Sequence, residues 1–216
     1  HSDHYTTAYD LALISSYAMR NPKFVEIVST KYYKIPWAGQ PWDRVLKNKN
    51  ALLWDYEGAN GIKTGYTTIS KRCLASAALR NGMQLVCIVL DCQPWFDDSM
   101  NILDYGFEEY KIHKVLSSGD KLGTIPVKNG FANQVEISLN DDIALPVKNG
   151  EESKINIEIE CPDQLTAPIK AGDEVGYVKV SLGDELEITK ELFAASSIEK
   201  NTFPSNIWKI IKSWVF

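Results

Sequence analysis

Lys63, Thr64 and Gly65 put a fixed positive charge, a hydroxyl and a residue without a side chain next to one another, and Thr67 adds a second hydroxyl two positions on. A lysine with hydroxyls along one strand edge can hold a free carboxylate. Glycine there lets a second backbone lie close, as an added strand does. A string of three residues is weak by itself, and its plain alternative is a solvated surface lysine. What lends it weight is the setting: Ala51-Leu52-Leu53-Trp54, a Gly-containing loop, Asn60-Gly61-Ile62-Lys63-Thr64-Gly65-Tyr66-Thr67, then two apolar strands.

Other chemistries find less support. His1, His4 and His113 are too few and scattered for a metal site, and Cys73, Cys87, Cys92 and Cys161 fit no C-x-x-C pattern. Two of the cysteines fall in apolar strand-like runs, where a thiol packs as a small hydrophobe; the alternative is a disulfide. No metal or other cofactor is expected. The net charge of −5 leaves no basic footprint for nucleic acid. No run of about 18 apolar residues exists to span a bilayer. With 44% apolar and 24% charged residues, the 216-residue chain has the composition of one or two folded domains. It opens at His1 with neither an initiator Met nor a signal peptide, and so is expected to begin within a gene or after processing.

The elements that must position Lys63 follow from periodicity. Thr7 to Asp10 reads as a capping-box-like start for a helix from about Ala8 to Arg20, and Asn21-Pro22 as the cap and first residue of a short helix through Val28. Lys31 to Ile35 reads as a strand and Pro36 to Asp43 as a loop. Gly61 to Gly65 reads as a short strand. Cys73 to Leu79 and Met83 to Leu90, joined through Arg80-Asn81-Gly82, make a hairpin with a type I′ turn, central and covered on both faces. A helix capped by Asp97 or Asp98 ends near Gly106-Phe107. From about Lys111 short β runs alternate with turns, which predicts a second, all-β domain. There Pro126-Val127-Lys128-Asn129-Gly130 recurs as Pro146-Val147-Lys148-Asn149-Gly150, read as two hairpins sharing one turn type, with a binding repeat as the alternative.

The chain closes on Ile207, Ile210, Ile211, Trp214 and Val215, which fall on one helical face, with Trp208 at its border and Lys209 and Lys212 opposite. Two lysines, two tryptophans and no acid suit a helix lying in a membrane surface, with Trp208, Lys209, Ile211, Lys212 and Trp214 in contact with it. A helix docked on its own domain would show the same pattern.

In this order the segments resemble the serine D-alanyl-D-alanine carboxypeptidases, the low-molecular-mass penicillin-binding proteins. Tyr5 to Ile14, Lys49 to Trp54, Lys63-Thr64-Gly65 and Leu103-Asp104-Tyr105-Gly106-Phe107 carry the likeness, and the β-rich stretch with its amphipathic tail extends it over essentially the whole chain. The resemblance implies an α/β (α+β) fold: residues 1–111 as the later part of a β-lactamase-like catalytic domain with an antiparallel sheet, 112–202 as an all-β domain and 203–216 as the tail. It also implies roles. Lys63 is the catalytic charge near nucleophile and substrate, Thr64 bonds the terminal carboxylate, and Gly65 and Thr67 lie along the substrate, a peptidoglycan stem peptide ending in D-Ala-D-Ala. The complete enzyme would also take β-lactams, on the outer face of the bacterial cytoplasmic membrane.

The family's S-x-x-K and S-x-N motifs lie before the Thr7 helix, outside this sequence. Ser118-Gly119-Asp120-Lys121 and Ser197-Ile198-Glu199-Lys200 fit the first pattern, and Ser99-Met100-Asn101 and Ser138-Leu139-Asn140 the second, but all follow Lys63. The chain alone is therefore expected to be inactive, with the missing N-terminal segment as a partner and an apolar area near Cys73 to Leu90 left bare or covered by a partner. Where the family often has Ala-Gly, this chain reads Thr68-Ile69-Ser70-Lys71-Arg72, and the roles of Lys71 and Arg72 stay unassigned. The rival is a non-catalytic module that binds wall peptides or locates a partner at the membrane.

Overall fold

The structure, a computed structural model, describes residues 3–184 and 186–201. The tail expected over 203–216, with Trp208, Lys209, Ile211, Lys212 and Trp214, lies outside the described residues. Contacts divide the chain into two compact units, His1–Ile112 and His113–Phe216.

Helix α1 (Ala8–Ala18) begins where Thr7 accepts the Asp10 N–H at 3.0 Å and returns its own hydroxyl proton to the Asp10 carboxylate. Asn21 caps α2 (Pro22–Ser29), accepting from the N–H groups of Lys23 and Phe24. Then come β1 (Tyr32–Ile35), β2 (Arg44–Lys47), the single turn α3 (Leu52–Asp55), β3 (Ala59–Thr67), β4 (Lys71–Arg80), β5 (Met83–Val89) and α4 (Trp95–Glu109). β1 and β2 form a separate two-stranded ribbon; β3, β4 and β5 form an antiparallel sheet in that order. Asn81 and Gly82 both take positive φ between the paired Arg80 and Met83, as a type I′ turn requires.

Residues alternate across this sheet. Leu74, Ala78, Cys87 and Val89 pack with Leu103 of α4, while Ala75 and Ala77 pack with Met19 and with Val25 and Val28 of α2. Each fully buried leucine in these layers, Leu74 or Leu103, contributes about 1.5–3 kcal/mol relative to exposure.

Three expectations change. Only β4 is central, since β5 is an edge among the described residues. The helix expected to start at Asp97 or Asp98 starts at Trp95, which places both acids in its first turn without a side-chain cap. The bare apolar surface is not the hairpin, most of which is buried or half-buried, but α1: Ser15 is its one buried residue, and Ile14 and Tyr17 are 62% and 78% exposed. The sequence of α1 is apolar nearly all round, so its inner face covers β4 and β5 while its outer face has no cover among the described residues.

β6 (Tyr110–Leu116) leads into the second unit: β7 (Lys121–Lys128), β8 (Gln134–Ser138), β9 (Ile143–Lys148), β10 (Ile155–Glu160), β11 (Leu165–Thr166), β12 (Glu174–Leu182) and β13 (Leu186–Ala194). A six-stranded sheet runs β10-β12-β13-β8-β7-β11. Its core is built by alternation, with Ile125 and Val127, Val135 and Ile137, and Val178 and Val180 buried between exposed neighbours or half-buried ones. The repeated pentapeptide does not make two hairpins. Asn129 takes positive φ in the β7–β8 connection, whereas the second copy ends β9 with Gly150 at positive φ and leads through a 3-10 turn to β10, which pairs with β12 instead.

Candidate functional site

The placement of Lys63 starts with two asparagines. Asn48 donates to the carbonyls of Val28 and Thr30 at 3.3 and 3.1 Å, tying the foot of β2 to the end of α2. Asn50, fully buried, donates to the carbonyl of Gly61 at 2.8 Å and accepts the Leu52 N–H at 3.3 Å as α3 begins. Sequence reasoning passed over both, although an Asn just before a helical Leu-Leu-Trp is a capping signal. Gly61 is needed by packing: a Cβ there would stand 3.0 Å from the Val28 side chain and 3.6 Å from the Met19 sulfur.

From that anchored end β3 runs outward along the sheet margin. Lys63 pairs with Ala75, Thr64 with Leu74, Gly65 with Cys73 and Thr67 with Lys71. Lys63, Gly65 and Thr67 thus share one face with Ala75, the face on which α2 packs. Lys63, Gly65 and Thr67 are exposed and Thr64 is half-buried. The Lys63 ammonium donates to the carbonyl of Thr64, and no described carboxylate forms an ion pair with it. Thr67 has a second task, since its hydroxyl accepts the Ser70 N–H at 2.8 Å and closes the turn into β4.

Gly65 differs from Gly61. A Cβ at Gly65 would find only the Cys73 carbonyl, 3.9 Å away, so nothing among the described residues requires glycine at that point. The side of β3 away from β4 carries no strand among the described residues. The margin is therefore a cation, two hydroxyls and a run of backbone amides with space above them, able to take an extended peptide by strand addition and to meet an anion at its end.

Arg72 is committed elsewhere: its guanidinium donates to the Gln93 carbonyl at 3.2 Å and lies 5.7 Å from the Trp95 ring centre. Lys71 takes positive φ at the turn. At the far end of β4, Arg80 stacks over Tyr56 and Phe107 at 4.3 and 4.7 Å and pairs with Asp104 at 3.3 Å. Burial, and then the 2.7 Å hydrogen bond to Asp104, push the Tyr56 phenol well above its ordinary range, so this group stays a neutral donor.

None of the serines fitting S-x-x-K or S-x-N is presented as a catalytic group. Ser99 is fully buried under the sheet on α4. The Ser118 hydroxyl donates to the Asn140 carbonyl at 2.7 Å in a turn, and the Ser197 hydroxyl accepts the Ala171 N–H at 2.8 Å. Ser138 sits on β8. Among the described residues no cluster of His, Cys, Asp and Glu is arranged to hold a metal ion, and no helix is long and apolar enough to cross a membrane. The four cysteines are free.

Two family models match in succession, one described as D-alanyl-D-alanine carboxypeptidase over residues 1–94 and one as penicillin-binding protein 5, C-terminal domain, over residues 110–200. The chain is 25% identical to D-alanyl-D-alanine carboxypeptidase DacF of Bacillus subtilis (strain 168), over 98% of this chain and 55% of that one. It resembles the crystal structure of a peptidoglycan synthesis regulatory factor (PBP3) from Streptococcus pneumoniae, with TM-score 0.74 and 22% identity, covering 90% of this chain and 57% of that one. It also resembles penicillin binding protein 5 from Haemophilus influenzae, with TM-score 0.66 and 24% identity, covering 93% and 58%. At these identities the two structures bear on the fold. The chain spans about half the length of the curated relatives it matches.

Proposed function

We propose that the gene product trims the terminal D-Ala from peptidoglycan stem peptides through a serine acyl-enzyme, since residues 1–94 match the model described as D-alanyl-D-alanine carboxypeptidase and residues 110–200 that of the penicillin-binding protein 5 C-terminal domain. This chain supplies the carboxylate-recognising margin of that site. Lys63 brings the positive charge, Thr64 bonds the terminal carboxylate, and the backbone at Gly65 and Thr67 takes the peptide as an added strand. The nucleophile and its base come from sequence preceding His1, so the chain alone forms no acyl-enzyme. The observation that carries the reading is the β3 margin, open among the described residues, with its glycine at a point where none of them requires one.

On this reading the protein works outside the cytoplasm, the β-rich unit acts as a spacer, and residues 203–216 hold it to the membrane surface. Deleting Asn206 to Phe216 should then abolish sedimentation with anionic vesicles. The enzymatic reading is tested with a fluorescent penicillin. The gene product including the upstream sequence should be labelled in a form that survives denaturation, with labelling reduced by Lys63→Ala, and the 216-residue chain should stay dark. Covalent labelling of the chain alone would refute the division of labour. A genuine start codon immediately upstream of His1 would favour the rival, a wall-binding module without catalysis.

A further inference from the structure

The ribbon of β1 and β2 stands apart in charge. Residues 31–49 hold five basic residues and one acid, a net charge of +4 in a chain whose net charge is −5. The register pairs Tyr32 with Lys47 and Lys34 with Val45, so these four share one face, and all are exposed. Beside them lies Trp54, half-buried, with the Tyr32 ring edge-on at 5.9 Å and the ammonium groups of Lys47 and Lys31 at 4.9 and 5.8 Å from its ring centre. Among the described residues Lys31, Lys34 and Lys47 form no ion pair with a carboxylate. The aromatic contacts hold two of these charges in place, so little freedom is left to lose when an anion binds.

We propose that this face is a docking surface for a saccharide polymer bearing acidic peptides, the glycan strand from which the stem peptides hang. The inference rests on the wall reading above. Aromatic edges and the Val45 side chain offer apolar contact to the C–H faces of sugar rings, and the lysines meet the carboxylates of the peptides attached to them. The attachment of the ribbon fits this use. Asn48 ties its foot to α2, and Asn50, two residues later, holds Gly61 two residues before Lys63. A polymer gripped here therefore sits on the same rigid frame as the margin that would take its peptide.

A lipid surface suits the ribbon less well. Membrane-seeking elements gather apolar residues on one side with charges at the border. Here the two rungs nearest the tip each carry a basic residue, Lys34 beside Val45 on one face and Arg44 beside Ile35 on the other.

The full chain is pelleted with purified insoluble peptidoglycan and, in parallel, with anionic vesicles. Lys34→Glu combined with Lys47→Glu should weaken pelleting with peptidoglycan by roughly tenfold or more. The size-preserving pair Lys34→Gln and Lys47→Gln should give a smaller loss in the same direction and serves as the test if the charge reversals disturb folding. Peptidoglycan pelleting unchanged by both pairs overturns the proposal. Loss of vesicle binding with peptidoglycan binding intact overturns it too, and makes the face a lipid contact. The two proposals are separated by their readouts. Failure of the Lys63 role would appear as unaltered penicillin labelling of the longer gene product, failure of the ribbon's role as unaltered pelleting.

Discussion

The side-chain amide of Asn50 donates to the backbone carbonyl of Gly61 at 2.8 Å from a position with 1% of its surface exposed, and this bond sets where the strand carrying Lys63 begins. Removing it leaves the Gly61 carbonyl and the Leu52 N–H without that partner inside the core. Asn50→Ala should cost about 1–3 kcal/mol in urea unfolding followed by tryptophan fluorescence. A loss below a few tenths would mean that water or a neighbour replaces the bond.

The two glycines of β3 should respond oppositely. Gly61→Ala drives a methyl group against Val28 and should destabilise by about 1–3 kcal/mol. Gly65→Val meets open space, should leave the melting temperature nearly unchanged and, in the longer gene product, should lower penicillin labelling by about tenfold or more. Labelling unaffected by Gly65→Val would remove strand addition from the mechanism.

A thiol reports on the start of α4. The Cys92 thiol donates to the Asp98 carboxylate at 3.0 Å, and that bond, followed by burial, raises its pKa from 9.0 to about 11. Less thiolate is present at pH 8 by roughly a hundredfold, so Cys92 should alkylate slowly with iodoacetamide and speed up only as the pH nears 11. Asp98→Asn takes away the charge that disfavours the thiolate and should accelerate alkylation at pH 8 severalfold. Peptide mapping by mass spectrometry reads the site; equal rates in the two proteins would show that the bond does not form.

The outer face of α1 makes the fourth test. Tyr9, Ile14 and Tyr17 present enough apolar surface to bind a dye such as ANS and to drive self-association of the chain. Ile14→Lys with Tyr17→Lys should suppress both without lowering stability by more than about 0.5 kcal/mol. A chain that stays monomeric and dye-free would mean that this face needs no cover.

Much of this was legible because it is local. Thr7, Asn21 and Asn81-Gly82 set helix starts and a turn through bonds within a few residues, and the structure places each where the sequence does. What was not legible depends on distant chain. Nothing local says that β5 lacks a neighbour on one side, because that depends on strands elsewhere. Likewise the pentapeptide at 126–130 and 146–150 takes two shapes, since tertiary partners decide whether Asn129 or Gly150 adopts the left-handed conformation. At the site, the type and order of Lys63, Thr64 and Gly65 could be read directly. The support from Asn48 and Asn50 could not, because its acceptors lie up to 20 residues away along the chain.

Among the described residues the three-stranded sheet has two unpaired margins of opposite character. The β3 margin is polar and ends in a turn, so a visiting strand gains backbone bonds there but little apolar contact, and it can leave. The β5 margin carries Leu85, Val86 and Ile88 without a single charge or proline from Met83 to Val89, and so lacks the gatekeeping residues that normally protect an edge. A strand pairing with it would bury apolar surface as well and would depart slowly. Handled alone and at high concentration, the chain should therefore exchange strands harmlessly at β3, while β5 acts as a seed for assembly.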